Sequence, residues 1–277
     1  MTAPLAERAL LVTLNISQWQ ARKRDKKVTK EVTRQHDAVG NAGNFNKMLL
    51  NRDTLAEITK VVSAARSAHA QMSLAWGDNG DRIVAGSLFP AYAKKMQELR
   101  FEFEDEVRKF VPAYPQFVQE ARKELGSMYE PDDYPADVSS KFSFKVGVSP
   151  LATAADFRVD LSTEHIDDIK RELVREHDER QKKMLKECYE KVRVVVKRIS
   201  ENCAKEKPVI YDSLMGNARD LVSILPALNL TNDPELNAVN ADLQALLVPT
   251  VRLKGDKHLR AATAQKADDL LARIGWA

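Results

Sequence analysis

Cysteine is nearly absent: Cys188 and Cys203 are the only two in 277 residues. That excludes a disulfide-stapled scaffold and fits a reducing compartment. Glycine (10) and proline (11) are also sparse, and no internal repeat or long low-complexity linker is seen. Charged residues interrupt every apolar run, so no stretch reaches the ~20 residues that a membrane-spanning helix needs. The first apolar segment contains Glu7 and Arg8 and has no basic leader, so no signal peptide is expected. Neither sign of charge dominates, since 43 Lys and Arg against 40 Asp and Glu give 43 − 40 = +3. Apolar residues (44%) and charged residues (30%) make up most of the chain. That is too apolar for disorder and enough for a real core at this length.

Catalytic signatures are missing as well. There is no nucleophile elbow, no Ser/His/Asp or Cys/His arrangement and no dinucleotide fingerprint. Gly40-Asn41-Ala42-Gly43-Asn44 lacks the Lys-Ser/Thr ending of a phosphate-cradling loop. Gly77-Asp78-Asn79-Gly80-Asp81 lacks the spread ligands and closing Glu of a calcium loop. None of the five histidines stands at zinc-ligand spacing from either cysteine. Enzyme activity is therefore unsupported, and no metal or cofactor is expected.

The patterning that is present predicts a mainly α, α+β fold with long coiled-coil-like helices and a small three-stranded sheet. Leu10, Val12, Leu14 and Ile16 alternate with polar residues and predict a strand over 10–19. Phe142, Phe144, Val146 and Val148 predict a second, and Asp156–Leu161 a shorter third. Thr54 and Glu57 read as a capping box opening a helix over 54–76. Tyr92, Met96, Leu99, Phe103, Val107 and Phe110 keep three-and-four spacing until Pro112 and Pro115, which predicts a helical hairpin over 88–126 with a proline corner. The longest element runs from Ser162 to Pro208, with the narrow stripe Met184, Cys188, Val192, Val195, Ile199, Cys203 between charged flanks. Such a stripe is the coiled-coil pattern, and it asks for other helices to cover it. Three regions follow: an N-terminal α+β part over 1–161, a helical arm over 162–207 and a C-terminal helical cluster over 208–277.

Two functional readings stay open. In the first, the protein is non-enzymatic and self-associates or binds a protein partner through its long helices. Tyr92, Leu99, Phe103, Met184, Val192 and Ile199 would supply the apolar contact, and His177, which interrupts the stripe, would set register or partner choice. In the second, Trp19, Arg22, Lys23, Arg24, Lys26 and Lys27 form a contact patch for nucleic acid, single-stranded DNA in particular. Clustered cations neutralise phosphates and release counterions, while a tryptophan can stack on a base. The acidic segment Glu130-Pro131-Asp132-Asp133 reads as a solvated loop.

Leu14-Asn15-Ile16-Ser17-Gln18-Trp19, the basic run from Arg22 to Val28, Lys141-Phe142-Ser143-Phe144, Asp156–Leu161 and the stretch from Leu221 to Leu236 together carry a resemblance over most of the chain. The sequence resembles a family of uncharacterised proteins encoded by tailed bacteriophages and prophages. That resemblance implies the host bacterial cytoplasm and gene neighbourhoods holding DNA-metabolism genes or MoxR-like AAA+ ATPases, so an AAA+ ATPase is one partner it implies. It carries over no site residues.

Overall fold

The computed structural model describes residues 4–39, 42–77, 79–152, 163–206 and 208–275. They form two compact units, one of residues 1–13, 70–93 and 147–277, the other of residues 14–69 and 94–146.

The first unit is built on a sheet and a helical cluster. After the one-turn helix α1 (Leu5–Arg8), strand β1 (Ala9–Ser17) pairs antiparallel with β5 (Arg82–Ala85), Ala9 opposite Ala85 and Val12 opposite Arg82. Strand β4 (Leu74–Ala75) extends the ladder, with Leu74 opposite Ile83, and β6 (Ser143–Pro150) lies on the other side of β1, giving the order β4-β5-β1-β6. Helix α5 (Thr163–Ala204) runs without a break for 42 residues, about 63 Å at the helical rise. Helices α6 (Asp212–Leu228), α7 (Pro234–Ala245), α8 (Thr250–Gly255) and α9 (Lys257–Ile274) follow it. Along α5, Met184, Cys188, Val192, Val196, Ile199 and Cys203 are buried. Helices α6, α7 and above all α9 pack on that seam. The stripe expected to need other helices is thus covered within its own unit, because α9 brings Ala264, Ala267, Leu270 and Ile274 to it on a matching helical repeat.

Helix α7 starts at a well-defined cap. Asp233 precedes Pro234 and accepts a 2.7 Å hydrogen bond from Leu236 N, and Tyr189 Oη of α5 donates to the same carboxylate at 3.2 Å. Asp233→Ala removes a cap and a partner of the tyrosine hydroxyl together, so thermal or urea unfolding should show a loss of about 1–2 kcal/mol.

The second unit contains a two-stranded ladder, β2 (Arg22–Arg24) with β3 (Asn46–Met48), and helices α2 (Lys26–Gln35) and α3 (Ala56–Gln71). The greater part of α4 (Phe89–Leu125) also belongs to it. Its core gathers Ile58, Val61, Val62 and Ala65 of α3 with the aromatic group Phe103, Phe110, Phe142 and Phe144, whose ring centroids stand 5.6–6.4 Å apart.

Several sequence expectations need correction. Six strands in two sheets are seen among the described residues instead of three in one. Strands β2 to β5 hold two to four residues each, too few for a period-two signal. The third expected strand, Asp156–Leu161, lies outside the described residues. The expected hairpin over 88–126 is one helix that carries Pro112 and Pro115 inside it. Each proline forfeits one backbone hydrogen bond. Phe110 and Tyr114, buried on either side of Pro112, pack with Phe142 and Trp19 and hold both halves on one axis. Helix α3 begins at Ala56 after a 3-10 turn over Arg52–Leu55 and ends at Gln71, not 76. Its lead-in is capped by Asn51, whose side chain accepts from Asp53 N, while the Thr54 hydroxyl donates to Asn51 O. Leu74 and Ala75 leave the helical pattern because β5 offers them a strand partner.

Candidate nucleic-acid interface

The basic run folds as a short strand and the first turns of a helix, and each periodicity sorts its cations. In β2 successive side chains point to opposite faces. Lys23, opposite Lys47 in β3, is ion-paired with Asp133, and Arg22 and Arg24 take the other face. Lys47 is the buried centre of this arrangement, its side chain 4% exposed. Its ammonium lies 2.7 Å from Asp133 Oδ2 and 3.7 Å from Asp25 Oδ2, and it donates to Met128 O at 2.7 Å. Asp25 also caps α2, accepting from Lys27 N and Val28 N at 2.9 and 3.0 Å. In the first turn of α2, Lys27 pairs with Glu130 at 2.7 Å.

The segment 129–135, expected to be a solvated loop, is instead tied down on several sides. Tyr134 Oη donates to Leu49 O at 2.9 Å and stacks on Tyr129 with centroids 5.2 Å apart, and Tyr114 Oη donates to Pro135 O. The Asp133 side chain is 4% exposed. Burial pushes its carboxyl up. Hydrogen bonds and charge from Lys23 and Lys47 together outweigh that and hold it below the usual carboxylate range. The hydrogen bond from Lys27, with its charge, likewise lowers Glu130.

Two cations of the basic run, Lys23 and Lys27, are therefore paired with carboxylates, and among the described residues the others are not. Arg22, Arg24, Lys26 and Lys30 are exposed, and among the described residues no carboxylate pairs with any of them. Lys26 and Lys30 stand four apart and share a face of α2. Trp19 is half-buried and held edge-on by Tyr114, with ring centroids 5.7 Å apart.

Beside Trp19 opens a groove of about 460 Å³ between the 18–22 segment, the end of β3 and the first turns of α3. Arg22, Arg52 and Lys60 line it, and no acidic side chain among the described residues does. Gln18 lies at β1's exit: its Nε2 donates to Thr59 Oγ1 at 3.3 Å, while its Oε1 is shut off from solvent and has no donor among the described residues. Gln18, Lys47, Arg52, Lys60 and the paired role of Asp133 were not singled out from the sequence. A lysine directly before the apolar stretch Met48-Leu49-Leu50 was a usable signal for Lys47; Arg52 and Lys60 carried none.

The residues expected to meet a partner are in the core. Tyr92, Leu99 and Phe103 of α4 and Met184, Val192 and Ile199 of α5 are each at most 3% exposed. In this conformation they are not available to another chain. His177 is half-buried beside Trp76, the rings meeting edge-on at 5.3 Å, with the Arg180 guanidinium 5.8 Å from the indole. Burial and the Arg180 charge lower its pKa. Among the described residues no cluster of His, Cys, Asp and Glu is arranged to hold a metal ion, and no helix is long and apolar enough to cross a membrane.

Residues 6–203 match the family described as Protein of unknown function (DUF3150). The chain belongs to that family. The matched span contains the β2–β3 ladder, the segment 129–135, the groove and the whole buried seam of α5, and it stops before α6. No curated protein and no solved structure matches the chain.

Proposed function

We propose that this protein is a non-enzymatic, single-stranded nucleic-acid-binding protein of a tailed phage, acting in the cytoplasm of the infected bacterium. Its contact surface is the outer face of β2 with the adjoining face of α2. The observation that carries this reading is the division of the basic run. Lys23, Lys27 and Lys47 are used to fasten Glu130, Asp133 and Asp25. Arg22, Arg24, Lys26 and Lys30 remain solvent-facing without carboxylates among the described residues. Four unpaired cations on a short ladder and one helical turn suit a phosphate backbone, and the nearby Trp19 suits an unstacked base better than a duplex.

Fluorescence anisotropy with labelled single- and double-stranded DNA across a salt series tests it. Neutralising four phosphates of a single strand corresponds to a log–log salt slope of roughly −3, so affinity should fall about fifty-fold between 50 and 200 mM salt. The combined variant R22E, R24E, K26E and K30E should lose binding and keep its unfolding midpoint, because none of the four is buried or paired. Binding that ignores salt, or survives the four reversals, rules the reading out.

A further inference from the structure

We propose that Phe45 stacks on a base of the bound single strand, the base entering a groove between Phe45 and α2 while its flanking phosphates meet Arg24, Lys26 and Lys30. This rests on the nucleic-acid reading and adds to it the place where an unpaired base is held. The groove has a volume of about 340 Å³, within the range of small-ligand sites. Thr29, Val32, Thr33 and His36 of α2 form one wall, and Asn44 and Phe45 stand in the other. Helix α2 has no buried residue, and Val32 and Phe45 keep 44% and 38% of their surface exposed. Two apolar side chains lining one open groove leave surface that a flat, largely apolar ligand removes from water.

The backbone fixes Phe45 in place. Its N–H donates to Thr29 Oγ1 at 3.1 Å, its carbonyl accepts from Asp25 N at 2.9 Å, and the Thr29 hydroxyl itself donates to Asp25 O. Both main-chain groups of Phe45 are thus engaged by the cap and first turns of α2, so what it leaves exposed is mainly its ring. A residue anchored in this way gives up little conformational freedom when a base lies on it. The surrounding charge selects the ligand. Arg24 stands opposite Asn46, the residue after Phe45. Lys26 and Lys30 precede the lining residues Thr29 and Thr33 by three positions and so neighbour them on the helix surface. The described lining includes no carboxylate. An aromatic residue in an apolar groove bordered by cations matches a base joined to phosphates. A second copy of the same basic face would be repelled.

The test compares binding of the full chain to labelled oligodeoxythymidylate, to an abasic strand of the same length and to a duplex, by fluorescence anisotropy over a salt series. Phe45→Leu keeps the apolar bulk and removes the aromatic face. It should weaken binding to the thymidylate strand roughly tenfold and leave the salt slope unchanged, because the phosphate contacts stay. The abasic strand and the duplex offer phosphates but no free base, so each should bind Phe45→Leu and wild type alike. Phe45→Tyr should restore the thymidylate affinity. Equal weakening toward all three ligands, or none toward thymidylate, overturns the inference while the cationic face stands. No binding of any of the three by the wild type removes the nucleic-acid reading and this inference with it. A solution mass that falls in Phe45→Leu would put a second copy in the groove and overturn the stacking role.

Discussion

Ile199→Ala is expected to lower the unfolding free energy of the unit that contains α5 by about 3–4 kcal/mol. Ile199 has no exposed surface and sits in the middle of the seam between Val196 and Cys203. The substitution removes three carbon atoms from a site walled by helices, so the lost transfer energy is joined by the cost of a cavity that rigid neighbours do not fill. Denaturant unfolding followed by helical circular dichroism measures it. The same experiment separates an internal seam from an intermolecular one. Where helices of one chain cover the seam, the wild-type midpoint does not change with protein concentration; where a second chain does, the midpoint rises with it. A midpoint that climbs over a hundred-fold concentration range, or an Ile199→Ala loss below 1 kcal/mol, would contradict the packing of α9 on α5.

Asp133→Ala should cost about as much, roughly 3 kcal/mol, for a different reason. Lys47 is buried and its closest carboxylate is Asp133 at 2.7 Å; without it, only Asp25 at 3.7 Å remains among the described residues. An ion pair buried this deeply contributes little net stability, because desolvation of both charges offsets their attraction, yet removing one member strands the other. The double variant Lys47→Met with Asp133→Leu should therefore recover most of the loss. Lys23→Ala should cost far less, since the Lys23 side chain is 52% exposed and keeps its hydration. The pH dependence has a definite sign. Asp133 is held below the ordinary carboxylate value, so the folded state keeps it ionised at pH values where the unfolded chain takes up a proton. Its contribution is complete above the unfolded value of about 3.9 and disappears as pH falls through its lowered folded value. Asp133→Ala should flatten that acid limb; an acid limb identical to wild type would contradict the pairing.

The two site-level features differ in how far the chain's order exposes them. The basic run from Arg22 to Lys27 is visible as composition, and Trp19 stands next to it. Which of those cations are spent is not visible, since Lys23 and Lys27 meet carboxylates 110 and 103 residues away. The groove is less visible still. Gln18, Arg52 and Lys60 are ordinary surface residues in one dimension, and only the turn at Ala21 and the first turns of α3 set them around one space.

Local chemistry alone determined the elements whose signal is long or sharply punctuated. A stripe of six apolar residues at three-and-four spacing specifies α5 from Met184 onward, and four apolar residues at period two specify each of the strands β1 and β6. Asp233-Pro234 and Asp256 mark the starts of α7 and α9, and both carboxylates do accept from the backbone N–H three residues on. Tertiary structure decided the rest. A two- or three-residue strand has no period and exists only because a neighbour offers its backbone groups. A proline pair reads as a corner until aromatic packing on both sides keeps the helix on its axis. An apolar seam shows that something must cover it, but not whose helix does so. That choice depends on which chain segments return to the seam, a property of three-dimensional closure that no local repeat encodes.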